Sequence, residues 1–228
     1  MTAEYSALKN QLINIYRARA KHYDLTANLY YLIGYPEWRY RRQAIAALDV
    51  GLGDTVVELG CGTGLNFELL QKKIGPTGRL IGIDLTDAML EVAHRRVVDK
   101  GWRNVELVQN DVLDYDYPAD VNGIISTFAL SLIPECDLVI KRAAQALAIG
   151  GRITLLELQM PNYWPDWLIG IAMALIRPFT LSDEWLERRP WQTIGRAMLE
   201  NLTDVNIENR FFSTTYIISG LQAVTEPR

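Results

Sequence analysis

The stretch Val56-Val57-Glu58-Leu59-Gly60-Cys61-Gly62-Thr63-Gly64-Leu65 runs from a β-branched segment straight into a glycine-rich turn, with a helical pattern from Asn66 to Ile74 behind it. Glycines at alternating positions let the backbone turn sharply and let a ligand approach where a Cβ would collide. A dinucleotide loop spells G-x-G-x-x-G and sets a pyrophosphate on the helix N-terminus. Here the spelling is E-x-G-x-G-x-G. The carboxylate of Glu58 would repel a phosphate and suits a ligand with a cationic amino group. Glu58, Gly60, Cys61, Gly62 and Gly64 are therefore candidate ligand residues, Cys61 as a small apolar one and not a nucleophile.

Two further acids lie where the following strands end. Asp84 closes the segment Arg79–Leu85, where a carboxylate accepts hydrogen bonds from both hydroxyls of a ribose, with Leu85 beside it. Asp111-Val112 follows Val105–Asn110 and offers a carboxylate and an N–H to an adenine edge, and Met89 stands ready to pack on the ring. Loop and acids together describe a nucleoside that carries an amino acid and no phosphate. Strand-like runs at Thr55–Leu59, Arg79–Leu85, Val105–Asn110, Gly123–Phe128 and Arg152–Leu158 alternate with helical patterns at Asn66–Ile74, Ala88–Lys100 and Leu138–Leu147. That rhythm predicts a doubly wound α/β sheet. Val205–Phe211 and Thr214–Leu221, after a helix at Trp191–Asn201, predict a closing antiparallel hairpin.

On these residues, and on Gly150-Gly151-Arg152 before the fifth strand, the chain resembles the class I S-adenosylmethionine-dependent methyltransferases over about residues 45–220. The resemblance implies a seven-stranded Rossmann-like sheet, mostly parallel, ending in an antiparallel hairpin. It implies S-adenosylmethionine as cofactor, with the glycines under its methionine part, Asp84 on the ribose, Asp111 and Val112 on the adenine, and Ser126 after the fourth strand nearby. It divides the chain into an N-terminal helical lid or substrate segment, 1–45, and a cofactor-binding domain, 46–228, with an apolar insert at 160–190. Tyr23-Asp24-Leu25-Thr26, Tyr30-Tyr31, Ser126–Pro134 and the Trp-rich insert resemble bacterial N-methyltransferases of phosphatidylethanolamine and homoserine betaine-lipid head groups. Quinone C-methyltransferases share much of this pattern, so a quinone or small soluble acceptor stays open. A domain that binds S-adenosylmethionine without turnover is the other alternative.

Methyl transfer asks mainly for alignment and exclusion of water. Tyr23 is the expected contact to the cofactor carboxylate or the acceptor, with His22 as a base beside it. Tyr16, Tyr30, Tyr31 and Arg177 are the expected substrate contacts, the tyrosines as ring faces for a developing cation and Arg177 for a phosphate or carboxylate. Two cysteines and two histidines without ligand spacing imply no metal.

The 228 residues carry a net charge of −4, which speaks against a nucleic-acid partner, although residues 1–42 are +4 on their own. So does Ser126-Thr127-Phe128-Ala129, standing where base amino-methyltransferases carry an Asn/Asp-Pro-Pro-aromatic tetrapeptide. Two isolated cysteines and no secretory signal predict a reducing cytoplasm. The longest apolar run, Trp167–Ile176, is too short to span a bilayer. The amphipathic stripe Leu8, Leu12, Ile15, Tyr16 flanked by basic residues, and the insert, predict a lipophilic substrate and peripheral contact with the inner face of the membrane. Oligomeric state is not legible.

Overall fold

The computed structural model describes residues 3–24, 34–176 and 183–223. Helix α1 (Ala3–Arg19) and a 3-10 turn (Ala20–His22) precede α2 (Glu37–Ala47). The alternating core follows as β1 (Thr55–Leu59), α3 (Phe67–Ile74), β2 (Arg79–Asp84), α4 (Asp87–Lys100), β3 (Val105–Gln109), β4 (Val121–Thr127), α5 (Cys136–Ala146) and β5 (Leu147–Leu158). Helices α6 (Asp166–Ile176), α7 (Asp183–Arg188) and α8 (Pro190–Asn201) lead into β6 (Thr203–Arg210) and β7 (Thr215–Leu221).

The strands form one seven-stranded sheet in the order β3-β2-β1-β4-β5-β7-β6, parallel from β3 to β5, with β7 antiparallel to both neighbours. Period-two alternation divides the side chains between two cores. Val57, Leu59, Ile81 and Ile83 pack towards α5 and α8, while Val56 and Leu80 pack towards α2, α3 and α4. The chain reverses direction across the sheet between β1 and β4, and that crevice, at the C-terminal ends of the strands, is where open α/β sheets take ligands.

Two details depart from the sequence reading. Strand β5 begins at Leu147, paired with Val121, where a helix was expected to end and a loop to follow. Leu147 pairs with Val121 of β4, Gly150 and Gly151 bond the backbone of Gln222, and Gly150 at φ 82° lets the chain cross the register shift between them. The hairpin between β6 and β7 turns through Phe211, Phe212 and Ser213, all in the left-handed region.

Candidate active site

A cavity enclosing about 110 Å³ opens at this crevice. Leu59, Gly60 and Gly62 from the end of β1, Asp84 to Thr86 with Met89 after β2, Asn110 to Val112 after β3, and Ser126 to Leu130 after β4 line it. Four strand ends thus converge on one space, and the sequence spacing of the acids is what brings them there.

The glycine loop is held from below by Asp84. One carboxylate oxygen accepts the Gly62 N–H at 2.8 Å and the other the Thr86 N–H at 2.8 Å. Burial raises the Asp84 pKa, and the two N–H donors oppose that shift. Gly62 sits at φ +54° with open space where a Cβ would point, so the loop floor is clear. Gly60, at φ +66°, faces a wall: a Cβ there would lie 2.4 Å from Ala129 Cβ. Any side chain at Gly60 would push the β1 loop away from the segment after β4.

Glu58 stands behind this wall, 1% exposed, next in sequence to Leu59. Its Oε1 accepts the Asn66 Nδ2–H at 2.7 Å, and its Oε2 is buried without a hydrogen-bond partner. Burial pushes its pKa up to about 7, against the lowering by Asn66 and Arg41. Cys61 is buried with its thiol pKa raised by burial, and Gly64 packs on Phe67; neither lines the cavity.

Helix α1 closes the cavity from above. Tyr5, Lys9, Leu12 and Tyr16 form one face of it towards the cavity, so half of the stripe read as a membrane surface is turned inward. The Tyr5 hydroxyl donates to both oxygens of Asp111 at 3.0 Å, and Lys9 Nζ lies 2.8 Å from Asp111 Oδ2. Further along, Arg17 donates two bonds to Asp87 at 2.7 and 3.0 Å. The Thr63 hydroxyl donates to Asp24 at 2.6 Å, and Arg96 pairs with the same carboxylate. These contacts strap residues 3–24 across the C-terminal edge of the sheet. Sequence reasoning missed Tyr5, Lys9 and Thr63, whose partners are long-range.

Tyr23 lines the cavity with its ring 6.2 Å from that of Tyr16, and burial raises its hydroxyl pKa. His22 is exposed and not part of the cavity wall. Tyr30, Tyr31 and Arg177 lie outside the described residues. Among the described residues there is no group of His, Cys, Asp and Glu able to hold a metal, and no helix long and apolar enough to cross a membrane.

Two buried groups brace the segment after β4. Glu157 on β5, 0% exposed, accepts the N–H groups of Ala129 (3.1 Å) and Leu130 (2.8 Å) and the Ser131 hydroxyl (2.8 Å). Burial pushes its pKa up to about 7, against the three donors. On the other side, the Arg41 guanidinium lies 5.4 Å from the Phe128 ring centroid, and Phe128 itself is at φ 58°.

Residues 56–151 match the methyltransferase-domain family. The demethylmenaquinone methyltransferase of Lactobacillus johnsonii is 31% identical over 145 residues, a stretch covering 63% of this chain and 59% of that protein. The demethylmenaquinone methyltransferase of Staphylococcus aureus is 24% identical over 225 residues, 92% of each chain. A crystal structure of geranyl diphosphate C-methyltransferase from Streptomyces coelicolor, in complex with geranyl diphosphate and S-adenosyl-L-homocysteine, superposes with a TM-score of 0.66 at 17% identity, covering 82% of this chain and 79% of that one. The cavity fits the cofactor of such enzymes: acids at the ends of β2 and β3 on its wall and a clear glycine floor, with a buried carboxylate behind the wall whose second oxygen has no partner. Sheet order and glycine loop thus accompany a methyltransferase domain matched over residues 56–151.

Proposed function

We propose that the chain transfers a methyl group from S-adenosylmethionine to the ring of a lipophilic quinol-type acceptor. The reading is carried by the full-length likeness to demethylmenaquinone methyltransferase, 92% of each chain. The cavity supports it. Its carboxylates among the described residues, Asp84 and Asp111, lie after β2 and β3, on the cofactor side. The opposite wall, Phe128, Ala129, Leu130, Leu132 and Ile133, is apolar. A neutral ring suits such a wall, whereas an amine that becomes a cation on methylation favours a carboxylate beside it. Among the described residues the amino-lipid head group expected from the accessory segments has no such partner there, and the named relatives favour the quinone alternative.

When bound, S-adenosylmethionine supplies a methyl on a sulfonium, an electrophile that needs alignment more than activation. Asp84 would accept from the ribose hydroxyls while it holds the glycine loop. Asp111 would receive the adenine amine beside the N–H of Val112, with Met89 against the ring face. Glu58 would place a negative charge behind the loop for the ammonium of the methionine arm. Leu85 and Ser126 complete the walls. Tyr16 and Tyr23 would pack against the acceptor from the strap, which acts as a lid that keeps water out.

The test is direct. Purified protein is incubated with methyl-labelled S-adenosylmethionine, first with a prenylated 1,4-naphthoquinol and separately with phosphatidylethanolamine vesicles. Label in the quinol fraction is expected. Label in the amino-lipid and none in the quinol would overturn the acceptor assignment.

A further inference from the structure

Arg41 belongs to the segment before the first strand, where the sequence suggests a basic surface, yet it is 4% exposed. Its Nε donates to Glu37 Oε1 at 2.7 Å, one turn earlier on α2. Its Nη1 donates to Asn66 Oδ1 at 3.1 Å and to the Thr127 hydroxyl oxygen at 2.7 Å. The Asn66 amide is thereby oriented: its oxygen faces the guanidinium and its nitrogen donates to Glu58 Oε1 at 2.7 Å and to Thr127 at 3.0 Å. Four elements, α2, β1, β4 and the start of α3, meet in this network. One atom in it has no partner, the buried Oε2 of Glu58. The guanidinium holds the amide, the amide engages one oxygen of the carboxylate, and the other oxygen stays buried and unpartnered behind the cavity wall of Leu59 and Gly60.

We propose that Arg41 is a positioning residue of the cofactor site, orienting the Glu58 carboxylate through Asn66 so that its second oxygen serves the ammonium of the cofactor. The proposal rests on the assignment of Glu58 as counter-charge to that ammonium. Arg41 also sets the ionisation of Glu58. The groups that act on Glu58 are Asn66 and Arg41, which favour the anion; Asp84 on β2, which disfavours it; and Arg96 on α4, which favours it. Burial raises the carboxyl pKa and, against the lowering by Asn66 and Arg41, leaves it at about 7, so loss of the Arg41 charge moves it higher still. Cofactor affinity is then complete above the Glu58 pKa and falls as pH drops through it; without Arg41 the fall begins at higher pH. Glu37 and Tyr23 also face the guanidinium and keep it charged throughout that range.

Binding of S-adenosylhomocysteine, which retains the ammonium, is measured by calorimetry from pH 6 to 9 for the wild type, Arg41→Met, Asn66→Ala and Glu58→Gln. Arg41→Met is expected to bind about fivefold more weakly near pH 7, about tenfold near pH 6 and within about twofold of the wild type at pH 9, for a displacement of the pH limb by about one unit. Asn66→Ala cuts the link while the Arg41 guanidinium keeps Glu37 and Thr127, and should displace the limb the same way, which keeps the test open if Arg41→Met does not fold. A deficit that is constant across pH in both variants would make Arg41 a scaffold residue only and overturn the proposal. Glu58→Gln should flatten the limb; a limb that persists unchanged in it belongs to another group and overturns the assignment of Glu58 itself.

Discussion

Asp84 is bound within the protein at both oxygens, to Gly62 and to Thr86, so the residue expected to hold a ribose also holds the loop beneath it. Asp84→Ala should therefore weaken S-adenosylhomocysteine binding by roughly 1.5–3 kcal/mol, the contribution of a hydrogen bond to a charged group. Near-unchanged affinity by calorimetry would remove the ribose assignment. Glu157 raises a different question, because a buried carboxylate with three donors and no cation among its described ion pairs costs stability when charged. Its folded-state pKa, about 7, lies above its ordinary value of 4.5. The folded state thus binds more protons between those values, and stability falls as pH rises from about 4.5 to about 7. Glu157→Gln keeps an oxygen for Ala129 and Leu130 and removes the charge. The variant should be more stable than the wild type by roughly 1–3 kcal/mol at pH 8 and closer to it at pH 5, read by denaturant titration.

Helix α1 is the element whose role the sequence left widest. Its Leu12 and Tyr16 line the cavity, while Tyr5 and Lys9 occupy the carboxylate proposed to receive the adenine amine. The Leu113 N–H also donates to that carboxylate at 3.1 Å, so Asp111 is well supplied with donors before a ligand arrives. Cofactor and helix compete for one group. Tyr5→Phe combined with Lys9→Met should tighten S-adenosylhomocysteine binding by about fivefold, the equivalent of one displaced hydrogen bond of about 1 kcal/mol. Weaker binding in the double variant would show that these side chains help to hold the ligand. The second latch, Asp24 with Thr63 and Arg96, lies at the far end of the strap and is untouched by the change.

For the molecule as a whole, the faces left uncovered bear on where a lipophilic acceptor is met. Trp167 and Ile171 on α6 are 68% and 51% exposed, and Tyr163, just before that helix, donates to the Phe212 carbonyl at 3.4 Å. If this face rests on a membrane, Trp167→Ser with Ile171→Ser should cut the partition coefficient onto anionic vesicles by about a hundredfold or more, since each large apolar side chain contributes roughly 1.5–3 kcal/mol on burial. Cofactor affinity should not change, and unaltered sedimentation would reject the face as the point of contact. The sequence by itself determined the sheet, its closing hairpin and the placing of Asp84 and Asp111 at the strand ends, because strand periodicity and loop chemistry are local. Only the tertiary structure decided that Tyr5 and Lys9 reach Asp111 more than a hundred residues away. The same holds for Arg41, which lies buried against Thr127, and for Leu147, which joins β5 instead of ending a helix. Such pairings depend on which surfaces the packed sheet brings within a few ångströms, and no spacing along the chain encodes that distance.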